Sequence, residues 1–125
     1  MIPAELLYTE QHEWIKVNGD SATMGITDHA QHSLGDVTFV ELPAGGKTIT
    51  QGEEVCSVES TKAASSVYAP ASGKITEVNS ALETQPELIN EDPYGKGWIC
   101  KFKLADNKEL GRLLTPEKYQ PLAEE

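Results

Sequence analysis

The chain is short of thiols, of cationic side chains and of apolar runs, and each shortage removes a class of function. Only two cysteines occur in 125 residues, Cys56 and Cys100, and each sits inside an apolar segment. They form no C-x-x-C and have no neighbours at zinc-ligand spacing, so two buried, reduced thiols are the expectation. Ten basic residues stand against twenty acidic ones, a formal net charge of -10. Phosphate backbones are held by clustered Lys and Arg, so a nucleic-acid partner is not expected. An acidic surface suits partners that carry basic patches. No stretch approaches the roughly 20 apolar residues that cross a bilayer, so no membrane association is expected either. The first residues, MIPAELLYTEQHEW, carry neither a basic segment followed by an apolar core nor an Arg-rich, acid-poor presequence. A cytoplasmic location is the simplest expectation. Enzyme signatures are equally scarce: there is no G-x-G-x-x-G, P-loop, H-E-x-x-H or G-x-S-x-G.

What is present is a series of short strand-like segments cut by Gly, Pro and Asn. Residues 13–17 and 22–27 flank Asn18-Gly19-Asp20, which predicts a hairpin. Residues 37–42 (VTFVEL) are β-branched and aromatic until Pro43 stops them, and residues 48–50 and 53–58 flank a turn at Gln51-Gly52. Further strands are predicted over 66–69, ending at Pro70, and over 74–78, ending at Asn79. Trp98, Cys100, Phe102 and Leu104 alternate with Ile99, Lys101 and Lys103, the pattern of a strand with one buried face. Helical signals are few. Thr27-Asp28 offers an N-cap for a short turn through Leu34, with Gly35 at the C′ position. Asp106 and Glu109 resemble a capping box ahead of Leu110, Leu113 and Leu114, and Thr115-Pro116 suits the start of a last short helix. Residues 1–125 are therefore expected to form one domain, mainly β, a sandwich or barrel with short peripheral helices that include C-terminal ones.

One lysine is placed for chemistry. In VESTKAA, residues 58–64, Lys62 stands among Ser, Thr and Ala, and the flanking strand-like segments carry it to a hairpin tip. A surface lysine is ordinarily a solubility residue. From Ser60 to Val67, however, Lys62 is the sole charged side chain, with Glu59 just before. That leaves an amine on an uncluttered turn, which suits an acyl acceptor. A free lysine has a pKa near about 10.4, so the acylating enzyme would supply deprotonation and positioning. The histidines say less. His29 and His32 are three apart and could share a helix face toward a metal, but no third ligand is near, and a solvated face is the better reading. His12-Glu13-Trp14 is either an acid–base pair or a strand start whose Trp enters the core, the latter favoured on local grounds.

The run from Gly52 to Ala63 (GEEVCSVESTKA), followed by Tyr68-Ala69-Pro70-Ala71-Ser72-Gly73, resembles a lipoyl-attachment hairpin. Biotin acceptors place Met on both sides of the lysine, where this chain has Thr61 and Ala63. The remaining segments narrow the resemblance to the glycine cleavage H-protein family: Tyr8 with His12-Glu13-Trp14, residues 25–31 (GITDHAQ), Leu34-Gly35-Asp36, residues 39–43 (FVELP), Leu88-Ile89-Asn90 and residues 93–99 (PYGKGWI). Together they cover essentially the whole chain. Two positions depart from the usual pattern, Thr61 for Val and Ser66 for Asp.

The resemblance implies a lipoyl-domain-like barrel-sandwich hybrid of antiparallel strands, and a carrier rather than an enzyme. It implies lipoate in amide linkage on Lys62, with Glu59 and Ala63 as the flanks that a lipoate-attaching ligase or transferase reads. The implied partners are a pyridoxal-phosphate-dependent glycine decarboxylase, an aminomethyltransferase and a dihydrolipoyl dehydrogenase, which the arm visits in turn. Glu13 is implied to hold the cationic amine of the loaded arm in a cleft, with His29 lining it. A monomer is expected, because a carrier that visits several enzymes gains little by hiding surface. Two alternatives remain open at this stage: a lipoyl donor or relay for other complexes, and a β-rich binding module whose Lys62 is never modified. An enzyme built on His12, His29 and His32 is the least favoured.

Overall fold

Asn18 and Ser21 face each other across the first tight turn, as the sequence predicts, and Gly19 takes the positive φ of 67° that the turn requires. In the computed structural model, which describes residues 2–123, this turn joins β2 (Glu13–Asn18) to β3 (Ser21–Ile26), with the short β1 (Leu7–Tyr8) on the outer side of β2. A helix, α1 (Asp28–Leu34), follows at once. Thr27 caps it through its hydroxyl, which accepts from the Ala30 N–H at 3.2 Å, and Gly35 closes it at φ 81°. The chain continues through β4 (Val37–Glu41), β5 (Thr48–Ile49), β6 (Glu54–Ser60), β7 (Ala64–Tyr68) and β8 (Gly73–Val78). A 3-10 turn at Ser80–Glu83, α2 (Leu88–Glu91), β9 (Cys100–Leu104), a second 3-10 turn at Asn107–Arg112 and α3 (Pro116–Ala123) complete it.

Two antiparallel sheets result. One has six strands in the order β1-β2-β3-β9-β8-β5, and the other has three in the order β4-β6-β7. Their inner faces share one apolar core, in which Ile15, Met24, Ile75 and Phe102 of the large sheet meet Val40, Val58 and Val67 of the small one. A second cluster of Leu6, Tyr8, Trp14 and Tyr119 seals one end, with Tyr94, Trp98 and Leu114 packed on it. There the rings of Tyr8 and Tyr119 stack at 4.5 Å, which fastens α3 to β1.

The observed architecture is the expected one, antiparallel β with short helices, and its differences are local. Ile99 is buried on the face predicted to be exposed, because strand pairing begins only at Cys100; Trp98 is half-buried and its ring lies under Lys101 Nζ. The capping box at Asp106 forms only in part. Asp106 accepts from the Lys108 N–H, while the Glu109 carboxylate turns inward to the Ser72 N–H and hydroxyl, both at 2.7 Å. A long-range anchor outcompetes the local cap there, so a 3-10 turn replaces the α-helix. Cys56 and Cys100 are buried and free, as expected.

Candidate functional site

Lys62 lies at the tip of the β6–β7 hairpin, fully among exposed residues, on the three-residue turn Thr61-Lys62-Ala63. Its small neighbours turn out to build that tip. The Ser60 N–H and hydroxyl both donate to the Ala63 carbonyl, at 2.8 and 3.1 Å, and the Ser60 oxygen accepts from the Lys62 and Ala63 N–H groups at 3.3 and 3.1 Å. One serine therefore closes the turn from both sides. The tip also rests on the rest of the protein. The Thr61 N–H donates to the Asp36 carbonyl at 3.1 Å, and the Lys62 stem passes over Gly35, where a Cβ would sit 3.4 Å from Lys62 Cε. Among the described residues the one ion pair is Lys101–Glu77, at 3.8 Å, so the Lys62 ammonium has no carboxylate partner. Glu59 and Ala63, its predicted flanks, are both exposed.

Beside the tip is a cleft of about 330 Å³ between α1, the start of β2 and the outer edge of β7. Its wall includes Ala63 next to the lysine, then Ala64, Ser65, Ser66 and Val67, and on the facing side Gln11, His12, Glu13, His29 and Ser33. The cleft thus unites Glu13 and His29, which sequence places sixteen residues apart by subtraction, with Ala63 of the attachment hairpin. Ser66 is in the wall too, where it contributes a neutral hydroxyl. His32 does not take part; it is exposed and outside the cleft lining, and no metal-holding group of His, Cys, Asp and Glu occurs among the described residues.

Glu13 is the only carboxylate buried this deeply among the described residues, 2% exposed. Its Oε1 accepts from the Thr9 hydroxyl at 2.5 Å and its Oε2 from the Tyr68 N–H at 3.1 Å. Burial raises its pKa from the ordinary 4.5 by penalising the charged form, while the two hydrogen bonds pull it part of the way back. The Tyr68 bond shows that the outer edge of β7 faces Glu13, since its other edge pairs with β6.

The histidines form a wall. His12 and His29 stack with ring centroids 4.2 Å apart, and His12 takes a positive φ of 68° that is uncommon for a residue with a Cβ. Three bonds hold that conformation: the His12 N–H to the Thr9 carbonyl, the Thr27 N–H to the His12 carbonyl, and a 2.7 Å bond between His12 Nδ1 and the Tyr119 hydroxyl. The same hydroxyl bonds Thr27 Oγ1 at 2.7 Å. Tyr119, from α3, therefore ties the residue before Glu13 to the cap of α1. Sequence reasoning did not find this role, because 107 positions separate Tyr119 from His12 and no local pattern links them. His29 Nδ1 is buried without a hydrogen-bond partner.

Comparisons with known proteins identify the family. The model of the glycine cleavage H-protein family matches residues 6–125. The glycine cleavage system H protein of Carboxydothermus hydrogenoformans is 52% identical over 125 residues, covering 100% of this chain and 96% of that protein. That of Thermus thermophilus is 52% identical over 123 residues, covering 98% and 96%. The crystal structure of a glycine cleavage system H protein from Mycobacterium marinum superposes with a TM-score of 0.91 at 42% identity, covering 99% of this chain and 100% of that one. The chain belongs to the glycine cleavage H-protein family, the lipoyl-carrier component of the glycine cleavage system, which performs no catalysis of its own.

Proposed function

We propose that the chain carries lipoate in amide linkage on Lys62 Nζ and takes the aminomethyl group of glycine from a glycine decarboxylase to an aminomethyltransferase. A dihydrolipoyl dehydrogenase then restores the carrier. The observation that carries this reading is the adjacency of an exposed, unpaired lysine to a cleft with a buried carboxylate on its far wall. The residues suit the group. A bound lipoate supplies a disulfide that is reduced as it accepts the one-carbon unit.

The chain's own contributions follow from its side chains. Ser60 and Asp36 hold the tip rigid, so Lys62 is presented to each partner at a fixed place and the tethered group meets it at high effective concentration. Glu13, when ionised, holds a cationic amine in the cleft by a charge-assisted hydrogen bond. An amine there also offsets the burial cost of the Glu13 charge, so the raised pKa suits a cationic guest. His29 lines the same cleft. The apolar walls formed by Ile26, Ala30, Leu34 and Val67 exclude water from what lies between them.

Intact mass of the protein from lipoate-replete cells, beside a Lys62→Arg variant, tests the attachment. A gain of one lipoyl group that is absent in the variant supports it. No gain under any lipoate supply refutes it and leaves the unmodified binding module.

A further inference from the structure

The lysine-bearing tip is supported from a part of the chain nearly thirty residues further on. We propose that Asn90 is a positioning residue for acylation of Lys62, acting through the Gly35-Asp36 shelf on which the tip rests; this builds on the reading of Lys62 as the attachment site. Asn90 belongs to α2, which is anchored in the core by the fully buried Ile89. Its single amide makes three bonds, all to the junction between α1 and β4. Nδ2 donates to Gln31 Oε1 at 2.9 Å and to the Gly35 carbonyl at 2.8 Å, and Oδ1 accepts from the Val37 N–H at 2.8 Å. The orientation of the amide is fixed by these partners: a flip would set donor against the Val37 N–H and acceptor against the Gly35 carbonyl.

The arrangement has a geometric consequence. Asn90 grips the residues on both sides of Asp36 and leaves the Asp36 carbonyl between them as the acceptor for the Thr61 N–H. Gly35 is also the surface beneath the Lys62 stem. One side chain thus sets the direction of the carbonyl that holds Thr61 and the height of the glycine under Lys62. Apart from the turn's own Ser60, the Asp36 bond is the one hydrogen bond that ties residues 61–63 to another part of the protein among those described. Without the grip, the shelf loosens and an acylating enzyme must order the tip as it docks.

Steady-state lipoate attachment by a purified lipoate ligase with lipoate and ATP, read by intact mass, tests this alongside amide hydrogen exchange. For Asn90→Ala, loss of the tip's hydrogen bond predicts a fall in kcat/KM of about three- to tenfold, carried by KM because the ordering cost falls on docking. The Thr61 amide should exchange faster by a similar factor, while the Tyr68 amide, held by Glu13 at the other end of β7, keeps its wild-type rate. Asn90→Asp keeps the shape and the acceptor but loses both donors, and should behave alike if Asn90→Ala folds poorly. Gln31→Ala removes one outer partner only and should leave both readouts near wild type. Folded Asn90 variants that are acylated at the wild-type rate overturn the proposal, as does equal acceleration of Thr61 and Tyr68 exchange, which would mark general loosening. A wild-type chain that takes up no lipoate under these conditions overturns the Lys62 assignment instead.

Discussion

Replacing Glu13 by Gln removes the one deeply buried charge from the cleft while nearly keeping its shape. The amide oxygen can still accept from the Tyr68 N–H, and the amide nitrogen can donate to Thr9 Oγ1, so the fold has little reason to change. What is lost is the charged partner of the cargo amine. A hydrogen bond to a charged group contributes about 1.5–3 kcal/mol, against about 0.5–1.5 kcal/mol for a neutral one. Each 1.36 kcal/mol is a factor of about ten. Glu13→Gln should therefore speed loss of the cargo from the loaded arm about tenfold, and Glu13→Ala, which leaves no acceptor, about a hundredfold at the upper end. The protein is loaded with glycine and the decarboxylase, separated from it, and the decay of the loaded mass is followed at pH 7. Lowering the pH should erase the difference, because Glu13 must be ionised to act and burial makes it protonate above the ordinary carboxylate range. Equal decay rates in wild type and both variants at pH 7 would refute the role of Glu13 and return it to a structural one.

Further outcomes follow from the same residues. The raised pKa of Glu13 means that its stabilising contribution is full below the ordinary value of 4.5 and is lost as pH rises through the folded-state value. Glu13→Gln should thus gain stability relative to wild type as pH is raised from 4.5 toward neutrality, measured by urea unfolding, and a constant difference would contradict this. Tyr119→Phe strips the fully buried hydroxyl that joins His12 Nδ1 to Thr27 Oγ1, and should cost about 1–3 kcal/mol in the same assay. Gly73→Ala drives a Cβ into the Lys103 carbonyl and the Phe102 ring, and should cost about 1–3 kcal/mol or more, whereas Gly111→Ala, with open space around it, should stay within about 0.5 kcal/mol. Both cysteines should resist alkylation in the native protein at pH 8 and react only after unfolding.

Local signals in the sequence were enough for most of the strands and for the place of Lys62 at a hairpin tip, since turn residues, period-two alternation and the Thr27 cap act over a few positions. They were weaker where distant groups intervene. Glu109 was read as half of a helix cap because nothing near it indicates Ser72, 37 positions away. Glu13 and His29 came from family resemblance; burial, the Thr9 and Tyr68 bonds and the stacked His12 are tertiary facts that no spacing reveals. Asn90 was visible within Leu88-Ile89-Asn90 as part of the same resemblance, but its amide acquires a task only when α2 packs beside the end of α1.

The two buried cysteines bear on how such a carrier works. Thiol–disulfide exchange proceeds through the thiolate, and a protein that bears a reactive disulfide on a mobile arm must deny it any thiolate of its own. Cys56 is the sharper case, because it lies on β6, the strand that leads to Lys62. Its side chain points into the core, 5% exposed, and burial followed by the neighbouring Cys100 and acidic groups pushes its pKa far above the ordinary range. Burial alone pushes Cys100 up to about 12. At pH 8 an ordinary thiol of pKa about 8.5 is about one quarter ionised, while one at about 12 is ionised to about one part in ten thousand. The supply of thiolate at Cys100 is thus about two thousandfold lower before steric exclusion is counted. The alternation that sends Cys56 inward and Glu59 outward from the same strand therefore separates two chemistries: the face that builds the core holds its sulfur inert, and the tip offers the amine.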